Sequence, residues 1–175
     1  DNYQKEQQRK IDLNNAVSVD DFLKELKMTV KIGFLSDITI TRIVQLLNKT
    51  NQFNLTTKRY SSADLIKIIS NGGKVLWLSS SDRYGDNGIV GVAILFKNKE
   101  WLIDSMLLSC RVIGRKIETI FLVEIIKILK GDNVDNLYGR YVPTKKNTIV
   151  SDFYNQHSFQ LVDKKKNLWK FNLNE

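Results

Sequence analysis

The segment with the clearest chemical character is Leu107-Leu108-Ser109-Cys110-Arg111-Val112-Ile113-Gly114-Arg115-Lys116-Ile117, where one apolar run passes through a short basic turn into another. A helix starting at this turn would offer unpaired N–H groups and the positive end of its dipole, a combination that attracts anions. Gly114 would let a phosphate approach the backbone closely, and Arg111, Arg115 and Lys116 bracket the turn with three positive charges. Cations at a helix N-terminus oppose its dipole, so they cost stability unless an anion sits among them. The turn therefore reads as a phosphate site; the plainer alternative is a solvated basic turn. Cys110 lies in the same turn. Arg111 and the helix start would activate its thiol as an acyl-accepting nucleophile, whereas a lone cysteine at a strand end is otherwise a small buried apolar residue.

Other candidates are scattered along the chain. The block from Asn51 to Tyr60 is rich in amides and hydroxyls, which suit hydrogen bonding to a polyol and equally suit loop turns. Within it Asn54 is a substrate candidate, and Arg59 is the residue best suited to a carboxylate or phosphate. Asp104 and Trp101 alternate along one extended run and could face an acceptor, with packing as the simpler role for Trp101. His157 is the only histidine, so any Ser-His-Asp triad would need it; near a helix end it reads more simply as capping a carbonyl.

Positioning these residues requires a mixed fold. Ser18 offers a cap for a helix through Phe22 and Leu26, and Met28 to Ile32 reads as a strand. Helical spacing returns at Ile40, Ile43, Val44 and Leu47 behind Ser36 or Asp37, and again after Ser61, stopping at Gly72-Gly73. Val75–Leu78, Gly88–Phe96 and Trp101–Leu108 form three sequential antiparallel strands, followed by a helix from Gly114 to Lys130 that is apolar almost all round and so should be buried. A strand at Leu137–Val142, a helix from about Lys146 to Gln156 and two closing strands complete the order. The class is α+β, a mixed and mostly antiparallel central sheet flanked by helices. Residues 1–27 read as a helical lead-in from a preceding domain junction, and residues 28–175 as one domain.

Composition bounds the possibilities. The chain has 175 residues, 27 Lys/Arg against 19 Asp/Glu and 42% hydrophobic residues, as expected for one globular domain rather than a disordered chain. One cysteine excludes an internal disulfide, and with one histidine it also excludes the usual zinc site, so no metal is expected. No apolar run reaches the roughly 18 residues of a membrane span, and Asp1 to Lys10 is polar, so the chain reads as cytoplasmic and not membrane-bound. Residues 111–175 hold 12 Lys/Arg against 7 Asp/Glu, which suits a phosphorylated cofactor, an acidic protein or nucleic acid. Nucleic acid ranks last, because it rests on charge alone and lacks a stacking platform of interleaved aromatic and basic residues.

Two resemblances sharpen this reading. Arg111-x-x-Gly114-x-Lys116 resembles the Arg/Gln-x-x-Gly-x-Gly/Ala signature of the GCN5-related N-acetyltransferase (GNAT) fold, with Lys116 standing where that signature has Gly or Ala. Asn147, Val150, Tyr154 and Phe159 resemble the Asn-x-x-Ala-x-x-x-Tyr…Gly-Phe pattern of its last helix, with Ser158 in place of Gly. The likeness implies that Leu107, Leu108 and Arg111, Val112, Ile113, Gly114, Arg115, Lys116, together with Asn147, hold coenzyme A. It also implies that Tyr154 is the general acid toward a departing thiolate. Strand N–H groups near Leu107 and Leu108 would stabilise a tetrahedral oxyanion. The blocks Asn48–Tyr60, Asp82–Gly88, Ser109–Arg115 and Tyr141–Asn147 are similar, in order, to the C-terminal portion of FkbH-like proteins. There a phosphatase-like domain of the haloacid dehalogenase (HAD) superfamily precedes this portion, and together they load a glyceryl unit onto an acyl carrier protein for polyketide-type biosynthesis. No Asp-x-Asp-x-Thr nucleophile of such a domain occurs here. The resemblance implies an acyltransferase-type domain that takes coenzyme A or a carrier-borne phosphopantetheine, with an acidic carrier protein and a HAD-like domain as partners. A non-catalytic docking module is the competing expectation.

Overall fold

The computed structural model describes residues 2–174. Two helices open the chain, α1 (Asn2–Asn15) and α2 (Val19–Leu26). Ser18 caps α2 by accepting the Asp21 N–H, and α2 buries Phe22 and Leu26. Strand β1 (Thr29–Phe34) leads to α3 (Ile40–Lys49), a two-residue strand β2 (Phe53–Asn54) and α4 (Ser62–Ser70). The start of α3 is Thr39, whose hydroxyl accepts the Ser36 N–H, so Ser36 shapes the entry without being the cap itself. A capping box between Ser61 and Asp64 starts α4. The meander β3 (Lys74–Asp82), β4 (Gly85–Lys97) and β5 (Trp101–Leu108) is followed by α5 (Ile117–Lys130), β6 (Asn136–Arg140), α6 (Phe153–Gln156), β7 (Gln160–Asp163) and β8 (Leu168–Asn172). Among the described residues no helix is long and apolar enough to cross a membrane.

The strands form one sheet in the order β1-β3-β4-β5-β6-β8-β7, with β2 also paired to β5. Every pair is antiparallel except β5 with β6, which α5 connects as a crossover. One face packs Leu76, Ala93, Ile103 and Met106 against Phe121, Ile125 and Leu129 of α5. The other packs Val75, Val92, Ile94 and Leu107 against Ile43 and Leu47 of α3 and Leu65 of α4. The mixed, mostly antiparallel α+β sheet is as the residue pattern predicts.

Three local expectations need correction. The helix α5 begins at Ile117 rather than Gly114, because Gly114 and Lys116 both have positive φ and cannot continue a right-handed helix. It is amphipathic rather than buried all round, since Ile120 and Val123 are exposed. The stretch from Lys146 to Gln156 is not one helix but a 3-10 turn at Thr148–Val150 followed by the single turn of α6.

The opening helices are tied to the sheet by charge. Arg9, nearly buried, donates two hydrogen bonds to Asp82 at 2.9 and 2.8 Å and pairs with Glu6. Burial alone would raise the Asp82 carboxyl, but the Arg9 hydrogen bond and the Tyr84 N–H outweigh it and hold Asp82 below the usual carboxylate range. Arg83 and Tyr84 both bond Asp12 of α1. Arg83 N–H also donates to Leu26 O.

Candidate functional site

Strands β5 and β6 pair only over Trp101–Ile103 and Leu137–Gly139, and then diverge. The wedge between them is filled by the chain itself. Phe53 and Asn54 of β2 pair with Leu108 and Leu107, Leu55 N–H donates to Met106 O at 3.0 Å, and Val142 N–H donates to Leu55 O at 2.8 Å. Leu107 and Leu108 are therefore paired on both sides, with β2 and with Val92 and Gly91 of β4, and offer no free edge to an oxyanion. The expectation of a strand N–H oxyanion site there is corrected on this ground.

Two asparagines hold the wedge. Asn147 donates to Asn54 O and Val142 O, both at 2.9 Å, and accepts the Thr144 N–H at 2.7 Å. Asn54 Nδ2 donates to Thr50 O, while its Oδ1 accepts the Thr57 N–H at 2.8 Å. Both side chains are fully buried and use their polar atoms internally, so neither faces a ligand as expected. Burying Phe53 and Leu55 contributes about 1.5–3 kcal/mol each, and each hydrogen bond of the segment about 1 kcal/mol.

Outside the wedge, the turn after β5 opens into a cleft of about 770 Å³. Its walls are Arg42, Leu46 and Lys49 of α3, the Thr50–Phe53 segment, Leu108 to Arg111, and Lys145 with Lys146. Five cations and no carboxylate line it among the described residues. Burial, then the neighbouring Arg111 charge, pull Arg42 below its ordinary value, the mark of two cations facing each other without a counter-ion. A 3-10 turn, Cys110–Val112, carries the exposed Cys110 thiol and Arg111 to the rim. Val112 is buried in the core, and Ile113 packs against it. Among the described residues the backbone N–H groups of Gly114 and Lys116 have no acceptor. Gly114 has φ +81° with no atom within 4 Å of where a Cβ would stand, so the space over it is open.

The turn's other cations face elsewhere. Arg115 lies 3.6 Å from Asp82 and 3.8 Å from Glu6, and Lys116 pairs with Asp20 of α2 at 2.6 Å. The opening helices thus claim two of the three charges the sequence assigns to the phosphate. Four cations that the sequence reading passed over replace them: Arg42, Lys49, Lys145 and Lys146. Their signal was the seven-residue spacing of Arg42 and Lys49, which places both on one face of α3. A lysine pair directly after the turn at Pro143 was the other.

The remaining candidates are placed apart from the cleft. Asp104 is the extra residue of a bulge in β5, between Ile103 opposite Leu95 and Ser105 opposite Ile94. Fully buried, it accepts hydrogen bonds from Lys58 at 2.6 Å, Arg140 at 3.1 Å and the Tyr60 hydroxyl. Burial and then that bond push the Tyr60 phenol up. This saturated carboxylate pins the point where β5 and β6 part, rather than facing an acceptor. Arg59 donates to Leu47 O at 2.6 Å and to Asn51, closing the end of α3 instead of presenting a free guanidinium. Tyr154 is sealed among Phe153, Phe159 and Trp169, with its hydroxyl lacking a well-formed hydrogen bond, and burial pushes its phenol up. It does not line the cleft. His157 joins Phe153 O at 2.7 Å and Thr119 at 2.8 Å, tying α6 to the first turn of α5.

A scan against protein-family models finds no match, and neither does a search of curated proteins. Solved structures do match. An acetyltransferase of the GNAT family from Staphylococcus aureus Mu50 has a TM-score of 0.62 at 14% identity, over 83% of this chain and 99% of that one. The ribosomal-protein-S18-alanine N-acetyltransferase of Escherichia coli gives 0.62 at 10% identity, over 83% and 94%. A GNAT-superfamily phosphinothricin acetyltransferase of Sinorhizobium meliloti, solved in complex with acetyl-coenzyme A, gives 0.59 at 13% identity, over 82% and 88%. With the sheet order, the parallel β5–β6 pair and the basic turn between β5 and α5 already in place, the chain has the GNAT fold.

Proposed function

We propose that this chain is an acyltransferase-type domain that binds the phosphate end of coenzyme A, or of a carrier-borne phosphopantetheine, in the cleft beside Arg111. The observation that carries the reading is five cations without a counter-ion lining one cleft at the strand-to-helix turn of a GNAT fold. Arg42, Arg111, Lys145 and Lys146 would hold phosphate oxygens, and the N–H groups of Gly114 and Lys116 would be available as further donors. When bound, such a group supplies an activated acyl thioester. The protein's part is to fix its charged end.

The finer reading is a domain of an FkbH-like enzyme that receives a glyceryl unit on an acidic acyl carrier protein, beside a HAD-like domain. The four sequence blocks support it, as does the cleft's charge, which is complementary to an acidic carrier. Two observations favour a second reading, a carrier-docking module without chemistry of its own. The wedge between β5 and β6 is closed by β2, and Tyr154 is sealed away from the cleft.

Calorimetric titration with coenzyme A, acetyl-coenzyme A and a phosphopantetheinylated carrier protein tests this, on the wild type and on Arg111→Ala and Gly114→Asp. Micromolar binding of coenzyme A, weakened roughly tenfold or more by each substitution, is expected. Binding of the carrier alone would favour the docking module. Equal binding to the wild type and both variants would remove the cleft from the account.

A further inference from the structure

We infer that β2 is a fixed wall of this site: a donor bound by its phosphates lays its arm over the outer face of β2, across Phe53, and not between β5 and β6. This rests on the proposed reading of the cleft. The inference begins with where the chain's own atoms are. Phe53, Asn54, Leu55 and Thr56 are all buried, and the segment is bonded to Met106 on one side and to Val142 on the other. Asn147 crosses behind it and holds Asn54 O and Val142 O together. Opening the wedge would strip water-excluded contacts from four residues at once. The burial and hydrogen bonding of that segment already match the whole binding energy of a micromolar ligand. A donor that lies outside the wall incurs none of that cost.

The cleft offers another path. Leu46 and Phe53 form its floor, each with only a few per cent of its surface exposed, continuous with the basic rim of Arg111 and Lys145. Cys110 stands on the same surface, exposed, so it reports on an arm lying there. Tyr154 and Asp104 do not line it, and a donor on this path touches neither.

The test uses the whole chain, with desulfo-coenzyme A, which keeps the arm but has no thiol to consume an alkylating agent, and with 3′,5′-adenosine diphosphate, which has phosphates but no arm. Backbone hydrogen exchange and alkylation of Cys110 by iodoacetamide are followed together; as the only cysteine, it gives an unambiguous readout. With desulfo-coenzyme A, exchange at residues 52–57 should stay within twofold of the free protein while Cys110 alkylation slows roughly tenfold. The armless ligand should bind with much less protection of Cys110. Faster exchange at residues 52–57 on adding desulfo-coenzyme A would overturn the wall while leaving the cleft reading intact. Undiminished alkylation of Cys110 in protein saturated with desulfo-coenzyme A would also overturn it. Failure of both ligands to bind would overturn the wall and the cleft reading alike.

Discussion

Replacing Asn147 tests whether the wedge is held as the structure shows. Its side chain satisfies two carbonyl oxygens, Asn54 O and Val142 O, and one donor, the Thr144 N–H, in a site with no solvent exposure. Asn147→Ala removes all three bonds. A buried polar group left without its partner costs about 1–3 kcal/mol, and each carbonyl has a second lone pair that a relaxed neighbour or a water can reach. The expected loss is about 4 kcal/mol on that basis. In a domain of this size 1 kcal/mol moves Tm by about 2–4 °C, so Tm should fall by about 8–16 °C. Asn147→Asp is the sharper variant. It keeps the acceptor for Thr144 but turns a carboxylate oxygen toward two carbonyls, and should destabilise at least as much. Urea unfolding of both variants, with the exposed Lys146→Ala as reference, measures this. A loss below about 1 kcal/mol for Asn147→Ala would refute the claim that this side chain staples β2 to the β6 exit.

Two further outcomes follow from the charge network and the packing. Asp82 is held below its ordinary value, so the stability it contributes is complete above the unfolded carboxylate pKa of about 3.9 and is lost as pH falls through its lower folded value. Arg9→Met removes the main counter-charge. The acid limb of Tm against pH should then flatten, and a limb of unchanged slope would show that Arg9 does not set the Asp82 ionisation. At Gly139 an added Cβ would stand 2.2 Å from the buried Tyr154 ring, so Gly139→Ala should cost about 1–3 kcal/mol by forcing that ring to move. Tyr154→Leu in the same chain should recover part of the loss, and a fully stable Gly139→Ala by thermal unfolding would contradict this packing.

The succession of helices and strands could be read from periodicity and punctuation, because those signals are local. Ser18 and Ser61 cap helices where expected, and the apolar runs from Lys74 to Leu108 form the predicted meander. The position of the basic turn was equally readable, since Arg111 and Gly114 need only their neighbours to define a strand-to-helix corner. Which charges face the cleft was not. Arg115 and Lys116 look equivalent to Arg111 in sequence, yet Asp82 and Asp20, distant along the chain, draw them away. The amide-rich block after α3 gave no sign that Phe53 and Asn54 would pair with β5, because a two-residue strand has no period to detect. Its anchor, Asn147, lies 93 residues from Asn54. Short-range order is written in the spacing of side chains, whereas the closed wedge and the open cleft arise from contacts that exist only once β5 and β6 have parted around β2.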